Sequence, residues 1–287
     1  MPMTPTVSII IPTFNRLSFL KSAMASVFNQ TYQHFELIVV DDGSTDGTTG
    51  FMTDYPGVRY VYQRNKGVSA ARNRGIKLAK GALICFLDSD DTWHKKKLEQ
   101  QVNAFESDPS LTVCYTNETW IKDGLFFNQH KHHQKYSGWI FEKALPLCII
   151  SPSSVMIKKE VFSEIGGFDE ALEVCEDYDL WLRLTARHPV LFLDEALTIK
   201  QGGHQDQLSR KHWGMDRFRI IALEKILKSG IGFSQQKAVL DTIKKKAAVI
   251  RNGAWKRENY ELWWRYFVRE KTASFRHRIL QYAQRSA

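Results

Sequence analysis

The first ninety residues alternate short β-branched apolar runs with stretches of helical periodicity, and that alternation leaves few folds open. Residues 7–11 and 35–40 are rich in Ile and Val and end in polar or Gly-bearing turns, as buried parallel strands do. Between them Leu17, Leu20, Ala23, Met24, Val27 and Phe28 recur at helical spacing and supply the crossover of a βαβ unit. The pattern repeats: residues 59–62 read as a strand, 68–80 as a helix closed by Gly81, and 82–87 as a central strand. An α/β domain with a Rossmann-like, mostly parallel mixed sheet flanked by helices is the expectation.

Further along, the spacing predicts a helix over about 94–106, a strand over 111–115 and a long polar loop over about 122–137. A strand at 154–157, a short helix at 159–164, helix over 180–186 and a strand near 190–193 follow. From about Asp216 the periodicity is helical throughout, so residues 1–210 are expected to form an α/β domain and 211–287 a helical appendage. Charge divides at the same place. From Lys211 onward 18 Lys/Arg face 6 Asp/Glu, whereas 22 face 25 before it. Trp255, Trp263, Trp264, Tyr266 and Phe267 are interleaved there with Lys256, Arg257, Arg265 and Arg269. This pattern suits peripheral contact with a membrane surface, or an aromatic face packed on the α/β domain with basic stems over its rim.

Composition closes off other classes. With 17 Gly and 8 Pro the chain is neither collagenous nor low-complexity, and the longest apolar run, 82–87, is far short of a bilayer span. No basic segment followed by an apolar stretch opens the sequence, so a cytoplasmic location is expected. Cys85, Cys114, Cys148 and Cys175 form no C-x-x-C pair and read as reduced core thiols.

Acidic residues cluster at strand ends, where open parallel sheets bind ligands. Asp41-Asp42-Gly43-Ser44 ends the second strand and Asp88-Ser89-Asp90-Asp91 the fourth, so both are expected in one crevice. Converging carboxylates repel, and their hard oxygens suit Mg²⁺ or Mn²⁺ bridging a diphosphate. Asp41 and Asp42 also suit an Asp-Gly turn, and Glu176 and Asp177 the N-terminus of a helix. Arg72 could meet a phosphate or a carboxylate with its fork of donors. A nucleotidyltransferase would share the paired aspartates, but no G-x-x-x-x-G-K-[ST] loop is present. A silent sugar-nucleotide or nucleic-acid binding protein is the alternative from another class.

Five separated segments, in order, resemble glycosyltransferase family 2: Ile11-Pro12-Thr13-Phe14-Asn15, Val40 to Asp46, Asn65 to Asn73, Phe86 to Asp91, and Gly166-Gly167-Phe168-Asp169 with Cys175-Glu176-Asp177. The resemblance implies a GT-A fold and inverting transfer of a sugar from a nucleoside diphosphate donor to an acceptor hydroxyl, in surface polysaccharide or glycoconjugate synthesis. It places Phe14 against the base with Pro12, Thr13 and Asn15 beside it, and Asp42 in hydrogen bonding to the base. Asp88-Ser89-Asp90 matches the D-x-D motif that touches ribose, diphosphate and metal. Asp90 is then the first ligand of Mn²⁺ or Mg²⁺, assisted by Asp88 and His204, and Asp177 matches the base. UDP is the first expectation for the nucleotide. The residues do not separate UDP-hexoses and UDP-N-acetylhexosamines from GDP-mannose or a dTDP-sugar. A glycan or lipid-linked acceptor is implied, and no nucleic-acid partner. His130, His132 and His133 fall in the acceptor-facing region and are expected to contact solvent or acceptor, with no metal.

Overall fold

The computed structural model describes residues 6–127, 133–203 and 212–285. Its nine-stranded sheet is built around β1 (Val7–Thr13), which pairs in parallel with β2 (Phe35–Asp41) on one side and β4 (Leu83–Phe86) on the other. A parallel strand β3 (Arg59–Tyr62) flanks β2. β4 then pairs antiparallel with β8 (Val155–Lys158), and β8 antiparallel with β6 (Val113–Lys122). β6 runs parallel to β9 (Leu191–Gly202), whose other edge takes the two-residue β5 (Thr92–Trp93). The sheet is mixed, as expected: β1, β2, β3 and β4 run parallel, and antiparallel β8 joins them to β6 and β9.

Alternate residues of the central strands feed two separate cores, which explains their continuous apolar runs. Ile10, Ile38, Val40, Ile84 and Phe86 point to one face, beneath α3 (Val68–Leu78), α6 (Val161–Ile165) and α7 (Glu176–Thr185). Ile9, Ile11, Leu37, Val39 and Cys85 point to the other, beneath α1 (Leu17–Phe28) and α4 (Lys97–Ser107). Each fully buried Ile or Leu here contributes about 1.5–3 kcal/mol. Two short helices, α2 (Thr48–Met52) and α5 (Phe141–Ala144), carry too few turns to leave a periodic signal.

Several boundaries differ from the expected ones for local reasons. α3 stops at Leu78, because Ala79 is extended and Lys80 N–H donates to Glu36. Gly81 is not the helix stop: a Cβ there would lie 2.7 Å from the Ser8 nitrogen, so glycine permits the close approach to β1. α4 begins at Lys97 rather than near 94, since Thr92 and Trp93 pair with β9 and His94 N–H donates to Leu197 O at 2.9 Å. Part of the expected 122–137 loop is a hairpin, in which Asp123 and Gly124, both at positive φ, turn β6 into β7 (Leu125–Phe127). β9 extends nine residues past 193, hidden in the sequence by exposed Asp194 and Glu195 opposite the register shift in β6.

The C-terminal helices are α8 (Asp216–Ile226), α9 (Phe233–Trp255) and α10 (Tyr260–Arg285). Ile220 and Leu223 of α8 and Val239, Ile243 and Ala247 of α9 share one core with Tyr178 and Leu182 of α7 and Phe141 of α5. α10 packs along α9 through Leu262, Tyr266, Ala273 and Leu280. The aromatics of this region divide: Tyr266 is 3% exposed within the core shared with α7 and α8, whereas Trp255 and Trp264 are 58% and 59% exposed. The four cysteines are free thiols, three of them buried. Among the described residues no helix is long and apolar enough to cross a membrane.

Candidate active site

The order β3-β2-β1-β4 reverses direction at β1, so the crevice beyond the carboxyl ends of β1 and β4 is the switch point of the parallel half. Pro12 and Thr13 close β1 and are buried, and Phe14 emerges 44% exposed. Asn15, at φ 52°, turns the chain. Its N–H donates to Ser44 Oγ at 2.9 Å, and its Oδ1 accepts from Thr45 N–H at 2.7 Å. The first and second strand loops are thereby tied together.

Asp41 and Asp42 are committed to loop construction. Asp41 accepts from Ser44 N–H at 2.8 Å and from the Tyr60 hydroxyl at 2.6 Å. Asp42 accepts from Gln63 Nε2 at 2.7 Å, Lys66 N–H at 2.9 Å and Gly67 N–H at 2.8 Å, holding the loop that opens α3. The expectation that both acidic groups enter one crevice as neighbours is corrected here: β1 lies between β2 and β4, and backbone donors satisfy the first pair where it stands.

The second cluster is organised by arginines. Arg16 Nη1 meets Asp90 Oδ2 at 2.7 Å, while Arg72 reaches Asp88 Oδ1 with one amino nitrogen at 2.6 Å and Glu176 Oε1 with the other at 2.7 Å. Of its two expected partners, phosphate or carboxylate, Arg72 takes carboxylates, and its guanidinium lies 5.0 Å from the Phe168 ring centre. Asn73 donates to Phe168 O and accepts from Phe168 N–H, at 2.9 and 2.8 Å, which fixes that ring. Ser89 is buried. Asp91 is a buried brace, accepting from Ser153 Oγ at 2.6 Å and Gln201 N–H at 3.2 Å, and burial pushes its carboxyl up to about 8.

The charges around Asp88 and Asp90 compete. Burial raises the Asp90 carboxyl above its ordinary value and the Asp88 charge adds to this. Burial also opposes ionisation of Asp88, but Arg72 and Lys200 outweigh it and hold that carboxyl below the ordinary value. Lys200 on β9 experiences the charges of Asp91, Glu118, Asp88 and Asp177, which together keep its ammonium protonated despite burial.

Asp88 and Asp90 fit a divalent cation of the Mg²⁺ or Mn²⁺ kind. Each has one oxygen in an arginine ion pair and a second outside it, and the burial and Asp88 charge that oppose ionisation of Asp90 are what a cation relieves. Among the described residues no three His, Cys, Asp or Glu side chains gather as a ready-made metal site. Such cations are commonly held by one or two carboxylates with substrate phosphates and water, so two suffice. His204, expected as a further ligand, lies outside the described residues, as do His130 and His132; His133 is described, its ring tilted against Trp120 with centres 5.0 Å apart.

Asp177 stands in the first turn of α7, entered through Cys175 at φ 63°. Glu176 turns to Arg72 and is buried, whereas Asp177 is half-buried, accepts from Tyr178 N–H at 2.7 Å and lies 3.4 Å from Cys148 Sγ. Burial and the Asp177 charge keep the Cys148 thiol protonated, and its one proton has two acceptors in reach, Ile150 O at 3.2 Å and Asp177 Oδ2. Arg16, Lys200, Glu118, Ser153 and Cys148 were not singled out by the sequence reading. Arg16 directly follows a marked motif, but isolated residues such as Lys200 carry no spacing signal. An open groove of about 620 Å³ between α3 and α6, lined by Asn73, Lys77, Phe162 and Phe168, contains none of the expected site residues.

The glycosyl transferase family 2 profile matches residues 8–166, which spans β1 through α6. A glucosyltransferase of Escherichia coli, UDP-Glc:alpha-D-GlcNAc-diphosphoundecaprenol beta-1,3-glucosyltransferase WfgD, is 32% identical over 62% of this chain and 69% of its own. The chain belongs to glycosyl transferase family 2. An uncharacterized glycosyltransferase of Rickettsia felis is 34% identical over 67% of this family 2 chain, and the match spans only 32% of that protein's length. The fold is GT-A: Staphylococcus aureus TarS, residues 1–349 in complex with UDP-GlcNAc, superposes with a TM-score of 0.73 at 19% identity, over 91% of this chain and 79% of that one.

Proposed function

We propose that this protein moves a sugar from a nucleoside diphosphate sugar to an acceptor hydroxyl, with inversion, in the synthesis of a polysaccharide or glycoconjugate. The observation that carries this reading is the Asp88–Arg72–Glu176 bridge, which links the D-x-D segment to the turn bearing Asp177. In this reading Phe14 lies against the nucleotide base, beside Pro12, Thr13 and Asn15. Asp42 hydrogen-bonds the base by exchanging one of its loop donors. Thr13 Oγ1 and Ser69 Oγ, buried and unpartnered within the protein, flank this end of the crevice as polar atoms a nucleotide can satisfy.

Asp88, Ser89 and Asp90 take the ribose and diphosphate end, and Asp90 with Asp88 would hold a divalent cation, Mn²⁺ or Mg²⁺, which offsets charge on the leaving diphosphate. Asp177 accepts the proton of the acceptor hydroxyl as its oxygen bonds to the anomeric carbon and the bond to the diphosphate breaks. Inversion follows from that single displacement. The Cys148 thiol lies within reach of Asp177 Oδ2 at 3.4 Å and of Ile150 O at 3.2 Å, so its one proton can serve either. Arg72 holds Glu176 and leaves Asp177 as the acid of this pair outside that bridge.

UDP is the proposed carrier, supported by the UDP-Glc in the WfgD name and the UDP-GlcNAc bound by TarS. The acceptor is proposed to be a glycan or a lipid-linked glycan, in keeping with the diphosphoundecaprenol acceptor named for WfgD. Titration calorimetry of UDP, GDP and dTDP, with and without Mn²⁺, into wild type and Asp90→Ala tests both halves. Binding of one nucleotide that needs Mn²⁺ and is lost in Asp90→Ala is expected. Absence of binding by all three under every condition overturns the reading.

A further inference from the structure

The α9–α10 hairpin leaves an apolar face that the fold does not use. Along α10 the inward side carries Leu262, Tyr266, Ala273 and Leu280 against α9, while Trp264, Val268, Phe275 and Ile279 recur on another side and are exposed. Phe275 is 64% exposed. Positions 264, 268, 275 and 279 differ by 4, 7 and 4, so they align as one stripe on a straight helix. At the hairpin tip Trp255, Tyr260, Trp263, Trp264 and Phe267 touch in edge-on, tilted and stacked pairs with centroids 5.1–6.2 Å apart, joining the stripe to an aromatic cluster.

The unpaired charge around this face is basic except for Glu258, exposed at the hairpin tip. Five of the region's six carboxylates are neutralised within the protein: Asp216 by Arg219 and Lys246, Glu224 by Arg269, Asp241 by Lys244 and His277, Glu261 by Arg265, and Glu270 by Arg251. Lys256, Arg257, Lys271, Arg276 and Arg278 are exposed and have no carboxylate partner among the described residues. Lys271 lies in the plane of the stripe, 5.2 Å from the Phe267 ring centre. A second copy docked here about a twofold axis would set these cations against their own counterparts. Wedge-like aromatics with basic neighbours fit instead a surface that is anionic outside and apolar beneath.

We infer that the α9–α10 hairpin is a docking surface for an anionic lipid bilayer, with Trp264, Val268, Phe275 and Ile279 entering the headgroup–acyl boundary and Lys271, Arg276 and Arg278 meeting lipid phosphates. This surface shares no residue with the carboxylate crevice, so it stands whether or not the donor reading does.

The test is co-sedimentation of the full chain with vesicles of phosphatidylglycerol and phosphatidylethanolamine, against vesicles of phosphatidylcholine alone. The expected result is binding to the anionic vesicles that weakens with added salt and is at least about tenfold tighter than to phosphatidylcholine. Trp264→Ser with Phe275→Ser, both exposed and away from the packed side, should lose at least about tenfold in vesicle affinity. Lys271→Glu with Arg278→Glu should lose the preference for anionic lipid while keeping the far-ultraviolet circular dichroism of wild type. Equal or absent binding to the two vesicle types overturns the inference. So does a concentration-dependent dimer in sedimentation velocity that Trp264→Ser with Phe275→Ser abolishes, which assigns the face to a second copy.

Discussion

Arg72 Nη1 lies 2.7 Å from Glu176 Oε1, joining two helices whose residues stand 104 positions apart. Both side chains are more than nine-tenths buried, so neither charge has water to fall back on. Arg72 also holds Asp88, which makes it the common partner of the two acidic segments that define the crevice. The arrangement sets the position of the Asp177 turn from the same residue that sets the D-x-D segment.

Removing Arg72 should therefore cost stability as well as activity. Arg72→Ala leaves two carboxylates without their cation and is expected to destabilise by about 3–5 kcal/mol, the range for breaking a buried pair from one side. Arg72→Ala with Glu176→Gln should recover part of that loss. Urea unfolding measures both, and a single-variant change below about 1 kcal/mol is incompatible with the bridge as described.

Asp177→Asn keeps the shape of the turn and removes the proposed proton acceptor. Transfer should fall about 10²- to 10⁴-fold in kcat, the usual worth of a general base. Nucleotide affinity in calorimetry should stay within about twofold, because proton transfer is not part of donor binding. A variant that transfers at wild-type rate removes Asp177 from the reaction.

The attachment of the C-terminal helices should weaken in acid. Asp216 is partly buried, which on its own raises its carboxyl, but hydrogen bonds from Lys246 and Arg219 prevail and hold it below the ordinary 3.8. A carboxyl lowered in the folded state contributes stability above its unfolded value, and that contribution is lost as pH falls through the folded value. The loss is thus expected below about pH 3.8. Asp216→Asn should be less stable than wild type at pH 6, and the difference should shrink toward pH 3. Urea midpoints at the two pH values that keep a constant difference would falsify this.

Two glycines should respond in opposite directions to alanine. A Cβ on Gly81 meets the β1 backbone at 2.7 Å, so Gly81→Ala is expected to cost about 1–3 kcal/mol. Gly50, inside α2, has nothing within 4 Å of an added Cβ, and Gly50→Ala should stabilise by about 0.4–1 kcal/mol. Thermal unfolding of both variants decides, and a gain at Gly81 contradicts the close approach.

Much of the parallel half was legible because β1, β2 and β4 are largely buried on both faces and write themselves as unbroken apolar runs. Residues 59–62 and the helix Leu17–Phe28 lie where the pattern puts them. The outer half was harder. β9 is half-exposed and interrupted by Asp194 and Glu195, and β5 is only two residues long, so neither repeats often enough to show a period.

The candidate site divides in the same way. Asp88, Asp90 and Asp177 announce themselves as acids at the ends of apolar runs, and the family pattern is carried by contiguous residues. By itself, then, the sequence determined the order of the early strands and helices, the two-sided burial and the residue types brought to the strand ends. It could not determine pairing, since which cation meets which carboxylate depends on strand order and on turns far apart in the chain. Only the tertiary structure decided that β1 separates Asp42 from Asp88, that Arg72 binds carboxylates, that Lys200 sits among four acids, and that the aromatic face of α10 turns to solvent. Local backbone preference acts over a few residues, whereas an ion pair spanning 104 positions exists only after the layers between its partners have packed.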